Sequence, residues 1–124
     1  GTTNFIDKYA PSLLKENFFE DLGECTFRLK FDENVKFVSG LGATDIVIKD
    51  GGKTLEAGID YDATVSGKEI TVTLKGDYAK DKVKKDSLKL KVSTKESVKY
   101  ITDDAGNALN KFENKEITVT KATK

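Results

Sequence analysis

Apolar and polar residues alternate with a period of two along most of the chain. Cys25, Phe27, Leu29 and Phe31 fall on one side of a run whose other side is Thr26, Arg28 and Lys30. Ile59, Tyr61, Ala63 and Val65 alternate with Asp60, Asp62 and Thr64, and Ile70, Val72 and Leu74 with Thr71, Thr73 and Lys75. The same holds for Leu88, Leu90 and Val92 against Lys89, Lys91 and Ser93, and for Ile117 and Val119 against Thr118 and Thr120. Successive side chains of an extended strand point to opposite faces, so each run buries one face and wets the other. One-sided burial belongs to antiparallel sheets packed face to face, because parallel strands are apolar on both sides.

Turn residues separate the runs. Asp21-Leu22-Gly23-Glu24 precedes the Cys25 run, and Lys49-Asp50-Gly51-Gly52 joins Asp45–Ile48 to Lys53–Ala57 as a hairpin. Ser66-Gly67-Lys68 does the same before Glu69, and Asp103–Asn107 is a longer turn. The pattern predicts an all-β, antiparallel β-sandwich of about seven to nine strands. Residues 12–22 read as a strand, with a helix as the alternative because Leu14, Phe18 and Leu22 recur every fourth residue. Asp77–Lys85 reads as a charged crossover between sheets, anchored by Tyr78 and Val83. The core is expected to be Phe27, Leu29, Phe31, Ile70, Val72, Leu74, Leu88, Leu90, Ile117 and Val119.

With 124 residues the chain is one domain, divided here into a linker or cloning remnant over 1–8, the sandwich over 9–121 and a tail over 122–124. It contains no Met, which fits a piece cut from a longer protein. Its 21 cationic side chains equal its 21 acidic ones, and this balance argues against nucleic acid or an anionic membrane as the main partner. No apolar run is long enough for membrane insertion. The lack of His removes the commonest general base and metal ligand, and a single Cys permits no internal disulfide. Cys25 starts an apolar face and reads as a small buried hydrophobe rather than a reactive thiol. No cleft-forming pair of acids is evident, so the chain is expected not to be an enzyme.

One cluster has candidate chemistry. Asp103, Asp104 and Asn107 place three oxygen-bearing side chains in one turn, and calcium binds about six to eight oxygens. The plainer reading is structural: Gly106 and Asn107 turn the chain while the aspartates cap its N–H groups. The spacing does not match an EF-hand. Asp32, Glu33 and Asn34 end a strand and are a second acidic loop whose place the sequence leaves open, whereas Asp60 and Asp62 read as solvated strand positions. No cofactor is expected apart from such a calcium ion.

Three stretches resemble the immunoglobulin-like modules of bacterial surface-layer and cell-surface proteins. They are the lead-in Tyr9-Ala10-Pro11, the strand and exit from Thr26 to Val35, and the turn Asp103-Asp104-Ala105-Gly106-Asn107-Ala108-Leu109. The resemblance implies an immunoglobulin-like sandwich on the outside of a bacterium. It would serve as a non-catalytic spacer or array-forming module, contacting neighbouring modules of the same longer chain and array neighbours. A carbohydrate- or protein-binding adhesin module and an accessory domain of a secreted hydrolase are the alternatives. A line of exposed aromatic residues would favour the binder.

Overall fold

In the computed structural model, which describes residues 10–123, the five alternating runs and five further segments form ten strands, and no α-helix occurs among the described residues. They are β1 (Phe19–Gly23), β2 (Thr26–Lys30), β3 (Lys36–Phe37), β4 (Ile46–Asp50), β5 (Lys53–Thr54), β6 (Tyr61–Ser66), β7 (Glu69–Leu74), β8 (Ser87–Thr94), β9 (Ile101–Thr102) and β10 (Lys115–Thr120). Seven have five residues or more; β3, β5 and β9 have two each. One sheet runs β1-β2-β7-β6 and the other β10-β8-β4-β5, all antiparallel, with β3 and β9 as a separate pair. The two sheets share one core, so the fold is a β-sandwich.

All ten residues expected to face inward are buried, while their strand neighbours Arg28, Thr71, Lys89, Lys91 and Thr118 face outward. Phe27, Leu29, Ile70, Val72 and Val119 are completely covered. Each such side chain contributes about 1.5–3 kcal/mol through removal of apolar surface from water. A slip of one residue would expose the whole set, and this holds the register.

The β6–β7 hairpin sits where its turn residues placed it, whereas the β1–β2 turn falls later than the expected Asp21–Glu24, because Asp21–Gly23 still belong to β1. Gly67 and Lys68 join β6 to β7, with Gly67 at φ +59°. Between β1 and β2 the turn residues are Glu24 and Cys25, with φ of +52° and +57°. Positive φ at both central positions matches the twist of a two-residue hairpin, but an L-residue there is strained. The backbone N–H of Glu24 donates to Ala122 O at 3.0 Å and that of Cys25 to Thr120 O at 2.9 Å. These bonds tie the turn to the other sheet, and pairing continues to a bridge between Gly23 and Thr123, past the expected end of the domain at 121.

Residues 12–22 form a strand only from Phe19 onward. A bend over 15–17, with Asn17 at φ +58°, precedes it. No helix forms because the backbone bonds go to β2: Leu14 N–H donates to Lys30 O, and Lys30 N–H to Phe18 O. The run expected from Ile59 begins instead at Tyr61. Ile59 is 61% exposed and Asp60 is buried, the reverse of the expectation. Asp60 closes a turn, its Oδ2 accepting the Glu56 N–H at 2.9 Å while its own N–H donates to Glu56 O. The crossover between β7 and β8 opens with a 3-10 turn over Gly76–Tyr78 and is anchored by buried Tyr78 and Val83, as the sequence suggested.

The strand directions put the loops at two poles. The first pole holds Phe31–Val35, Gly67-Lys68 and the turn 103–107, joined by Val35 N–H donating to Gly67 O and by the pairing of Lys36 with Thr102. The described chain arrives there, with Leu13 bridged to Phe31. It leaves at the second pole, where Thr123 meets Gly23 beside the β1–β2 turn. Tyr9, the first residue of the lead-in that resembles surface modules, and the expected linker over 1–8 lie outside the described residues.

Candidate functional site

The turn 103–107 at the first pole is built around one carboxylate. Asp103 is buried. Its Oδ1 accepts the N–H groups of Ala105 at 2.9 Å and Asn107 at 2.8 Å, and its Oδ2 accepts Asn107 Nδ2 at 3.0 Å. Its N–H donates to Asn107 O, and its carbonyl accepts from Gly106, which sits at φ +92°. Burial pushes the Asp103 carboxyl up, but the donors from Asn107, Ala105 and Gly106 outweigh it and hold the group below the ordinary Asp value. Both oxygens thus face N–H donors, which is the capping arrangement.

The two acidic loops do meet. Glu33 and Asn34 line a shallow hollow with Asp103, Asp104, Ala105 and Lys68. Asp104 is exposed. Asp32 is engaged with the incoming chain, its Oδ1 accepting Ser12 N–H at 2.9 Å. Asp103, Asp104 and Asn107 are therefore neighbours as expected, but Asp103 is committed to its own turn and Lys68 adds a positive charge to the hollow. Among the described residues no group of three or more His, Cys, Asp or Glu is placed to hold a metal ion.

Cys25 is buried in the β1–β2 turn rather than starting the strand. Burial raises its pKa, aided by Asp21 and opposed by Lys121 and Lys80, so the thiolate is disfavoured. The aromatic residues are covered as well. Phe27, Phe31, Tyr61, Tyr78 and Phe112 are buried, and Phe18, Phe19, Phe37 and Tyr100 are partly so. No exposed aromatic side chain lies among the described residues.

Two buried carboxylates lay outside the candidate set. Asp60 caps its turn as described. Asp45 ends the 3-10 turn over Gly42–Asp45 and accepts the backbone N–H of Lys99 at 2.8 Å and that of Tyr100. Their partners sit 54 and 55 residues away. Nothing in the local pattern around Asp45 signals contacts at that separation.

Surface charge is arranged differently on the two sheets. On the outer face of the first sheet Arg28 pairs with Glu20 at 3.2 Å and Glu69 at 3.4 Å, Lys30 with Glu20 at 3.2 Å, and Lys75 with Asp62 at 3.0 Å. On the second sheet Lys49, Lys89 and Lys91 have no ion pair among the described residues and line an open hollow with Glu116 and Thr118.

No family model matches the chain, and no curated protein matches it. Among solved structures it is similar to the N-terminal part of the bacterial S-layer protein SbsC, with a TM-score of 0.57 at 18% sequence identity. The likeness is one of fold. It covers 91% of this chain and 24% of the S-layer chain, so the sandwich spans about a quarter of that longer molecule.

Proposed function

We propose that the chain is a non-catalytic, immunoglobulin-like structural module of a bacterial surface-layer or cell-surface protein, acting as a spacer that contributes surface to an array. The observation that carries this reading is the fold likeness to part of a bacterial S-layer protein over nearly the whole chain. Strand order supports its immunoglobulin-like part. With the seven longer strands lettered A to G in chain order, the sheets run A-B-E-D and G-F-C, the arrangement of seven-stranded immunoglobulin domains. Here β5 is a short addition beside strand C.

The path of the chain supports the spacer role. The described chain arrives at one pole and leaves at the other, so preceding and following modules would be strung in line. The partners in this reading are neighbouring modules of the same longer chain and array neighbours outside the cell. Antibody against the folded module is expected to decorate intact cells of the bacterium that encodes it. Labelling that requires permeabilised cells would overturn the reading.

A further inference from the structure

The two larger sheets end in β1, β6, β10 and β5, and all of these edges but β6 are blunted. β1 breaks register between Asp21 and Gly23, carries Glu20 and Asp21, and lies against β10. β10 carries Lys115 and Glu116, and β5 is only Lys53 and Thr54. Bulges, charges, short strands and covering neighbours keep an edge from pairing with another chain. β6 is long and regular by comparison. It contains no Lys, Arg or Pro, and it pairs with β7 without a shift from Tyr61 opposite Leu74 to Ser66 opposite Glu69. Its one charge, Asp62, is paired with Lys75 in its own sheet.

The backbone of β6 offers hydrogen bonds outward. Leu74 N–H donates to Cys25 O, so Leu74, Val72 and Ile70 turn their backbone groups to β2, and Thr73, Thr71 and Glu69 turn theirs to β6. Asp62, Thr64 and Ser66 receive them. The N–H and C=O groups of Tyr61, Ala63 and Val65 therefore point to the open side. Tyr61 O accepts Gly58 N–H at 2.7 Å, whereas Ala63 and Val65 have no backbone partner there among the described residues. Such groups must meet water or another chain. The exposed large apolar side chains gather at this edge too. Ile59 lies in the turn that bonds to Tyr61, and Val38 and Leu41 lie on the segment between β3 and β4 whose Ala43 O accepts the Tyr61 hydroxyl.

We propose that β6 pairs edge to edge, antiparallel, with β6 of a second copy of this chain. The strand is complementary to itself. With Thr64 of one copy facing Thr64 of the other, Ala63 stands opposite Val65 and the two exchange their free N–H and C=O groups. The same register sets Asp62 opposite Ser66, so no like charges meet along the strand. The two four-stranded sheets β1-β2-β7-β6 become one continuous sheet. The contact is isologous: it uses the same patch on both copies and closes as a dimer rather than running on. The inference stands on the edge of β6 and does not depend on the cell-surface reading.

Sedimentation equilibrium of the full chain is the test. One strand edge buries less than the roughly 1,200 Å² of a stable complex, so the association is weak and is read at concentrations up to about 1 mM. A monomer–dimer equilibrium is expected. Thr64→Lys sets two ammonium groups face to face at the centre of the pairing and should weaken the dimer by about fivefold or more. Thr64 is exposed, so the variant should melt with the parent in dilute solution. Thr118→Lys makes the same charge change on exposed β10 and should leave the equilibrium unaltered. Amide hydrogen exchange gives a second readout. Ala63 and Val65 should exchange fast in dilute protein and become protected as concentration rises, while Asp62, Thr64 and Ser66 stay protected throughout. A monomer at every concentration, growth beyond the dimer, equal weakening by the two variants, or Ala63 and Val65 amides indifferent to concentration would overturn the proposal. None of these outcomes bears on whether antibody reaches the module on intact cells.

Discussion

The Tyr61 hydroxyl, carried by β6 in the first sheet, lies 3.0 Å from the carbonyl oxygen of Ile46, the first residue of β4 in the second. The same hydroxyl is 3.1 Å from Ala43 O, so its single proton is shared between two carbonyls. The contact fixes the 3-10 turn over Gly42–Asp45 and the start of β4 against β6. Tyr61→Phe keeps the ring and removes the donor. It is expected to cost about 1–2 kcal/mol, because the buried Ile46 carbonyl loses this donor while Ala43 O keeps the Ile46 N–H. Urea unfolding should show a lower midpoint with an unchanged slope.

Alkaline stability should follow two tyrosines. Burial pushes Tyr61 up to about 12, and burial together with a hydrogen bond to Asp50 pushes Tyr78 up to about 12. The unfolded chain releases these protons near pH 10, about two units earlier. Their contribution to stability is therefore complete below about pH 10 and is lost as pH rises toward about 12. Unfolding free energy measured across that range should fall steeply, and less steeply in Tyr61→Phe.

The first-pole turn separates its two aspartates. Asp103→Ala removes the acceptor for three donors and is expected to cost about 1–3 kcal/mol. Asp104→Ala, at an exposed position, should stay within about 0.5 kcal/mol. Because the folded Asp103 carboxyl is held below its ordinary value, its contribution is present above about pH 4 and is lost as pH falls through the lower folded value. With Asp103 already saturated by N–H groups, calcium is expected to leave the melting temperature unchanged in the parent and in Asp104→Ala. A rise of several degrees in the parent that disappears in Asp104→Ala would establish the site.

Two glycines with positive φ should respond differently to alanine. Gly67 (φ +59°) has open space where a Cβ would stand, so Gly67→Ala should cost about 1 kcal/mol for the left-handed backbone alone. At Gly76 (φ +62°) the added carbon would lie 2.6 Å from Ile59 O, a backbone atom. Gly76→Ala should therefore cost clearly more, as read from thermal melts of the two variants side by side.

The β-sandwich was legible because one-sided strands write their burial into a period of two. Phe27 through Phe31, Ile70 through Leu74 and Ile117 through Val119 need no knowledge of their partners to declare which face is inward. Hairpin turns such as Gly67-Lys68 are equally local. The turn 103–107 was readable as either cap or cation site, because the residue types suit both. What separates the readings is the direction of the N–H groups around Asp103, which is a matter of coordinates. Tertiary structure alone decided the rest. Leu14 and Phe18 have helical spacing, but their backbone groups bond to Lys30. Asp45 and Asp60 look like ordinary polar positions until distant and local N–H groups close on them. The lysine face exists only because β4, β8 and β10 lie side by side with Lys49 across from Lys91. Periodicity is a property of neighbours in the chain, whereas which N–H meets a carboxylate and which lysines share a face are set by residues that meet only when the sheets assemble.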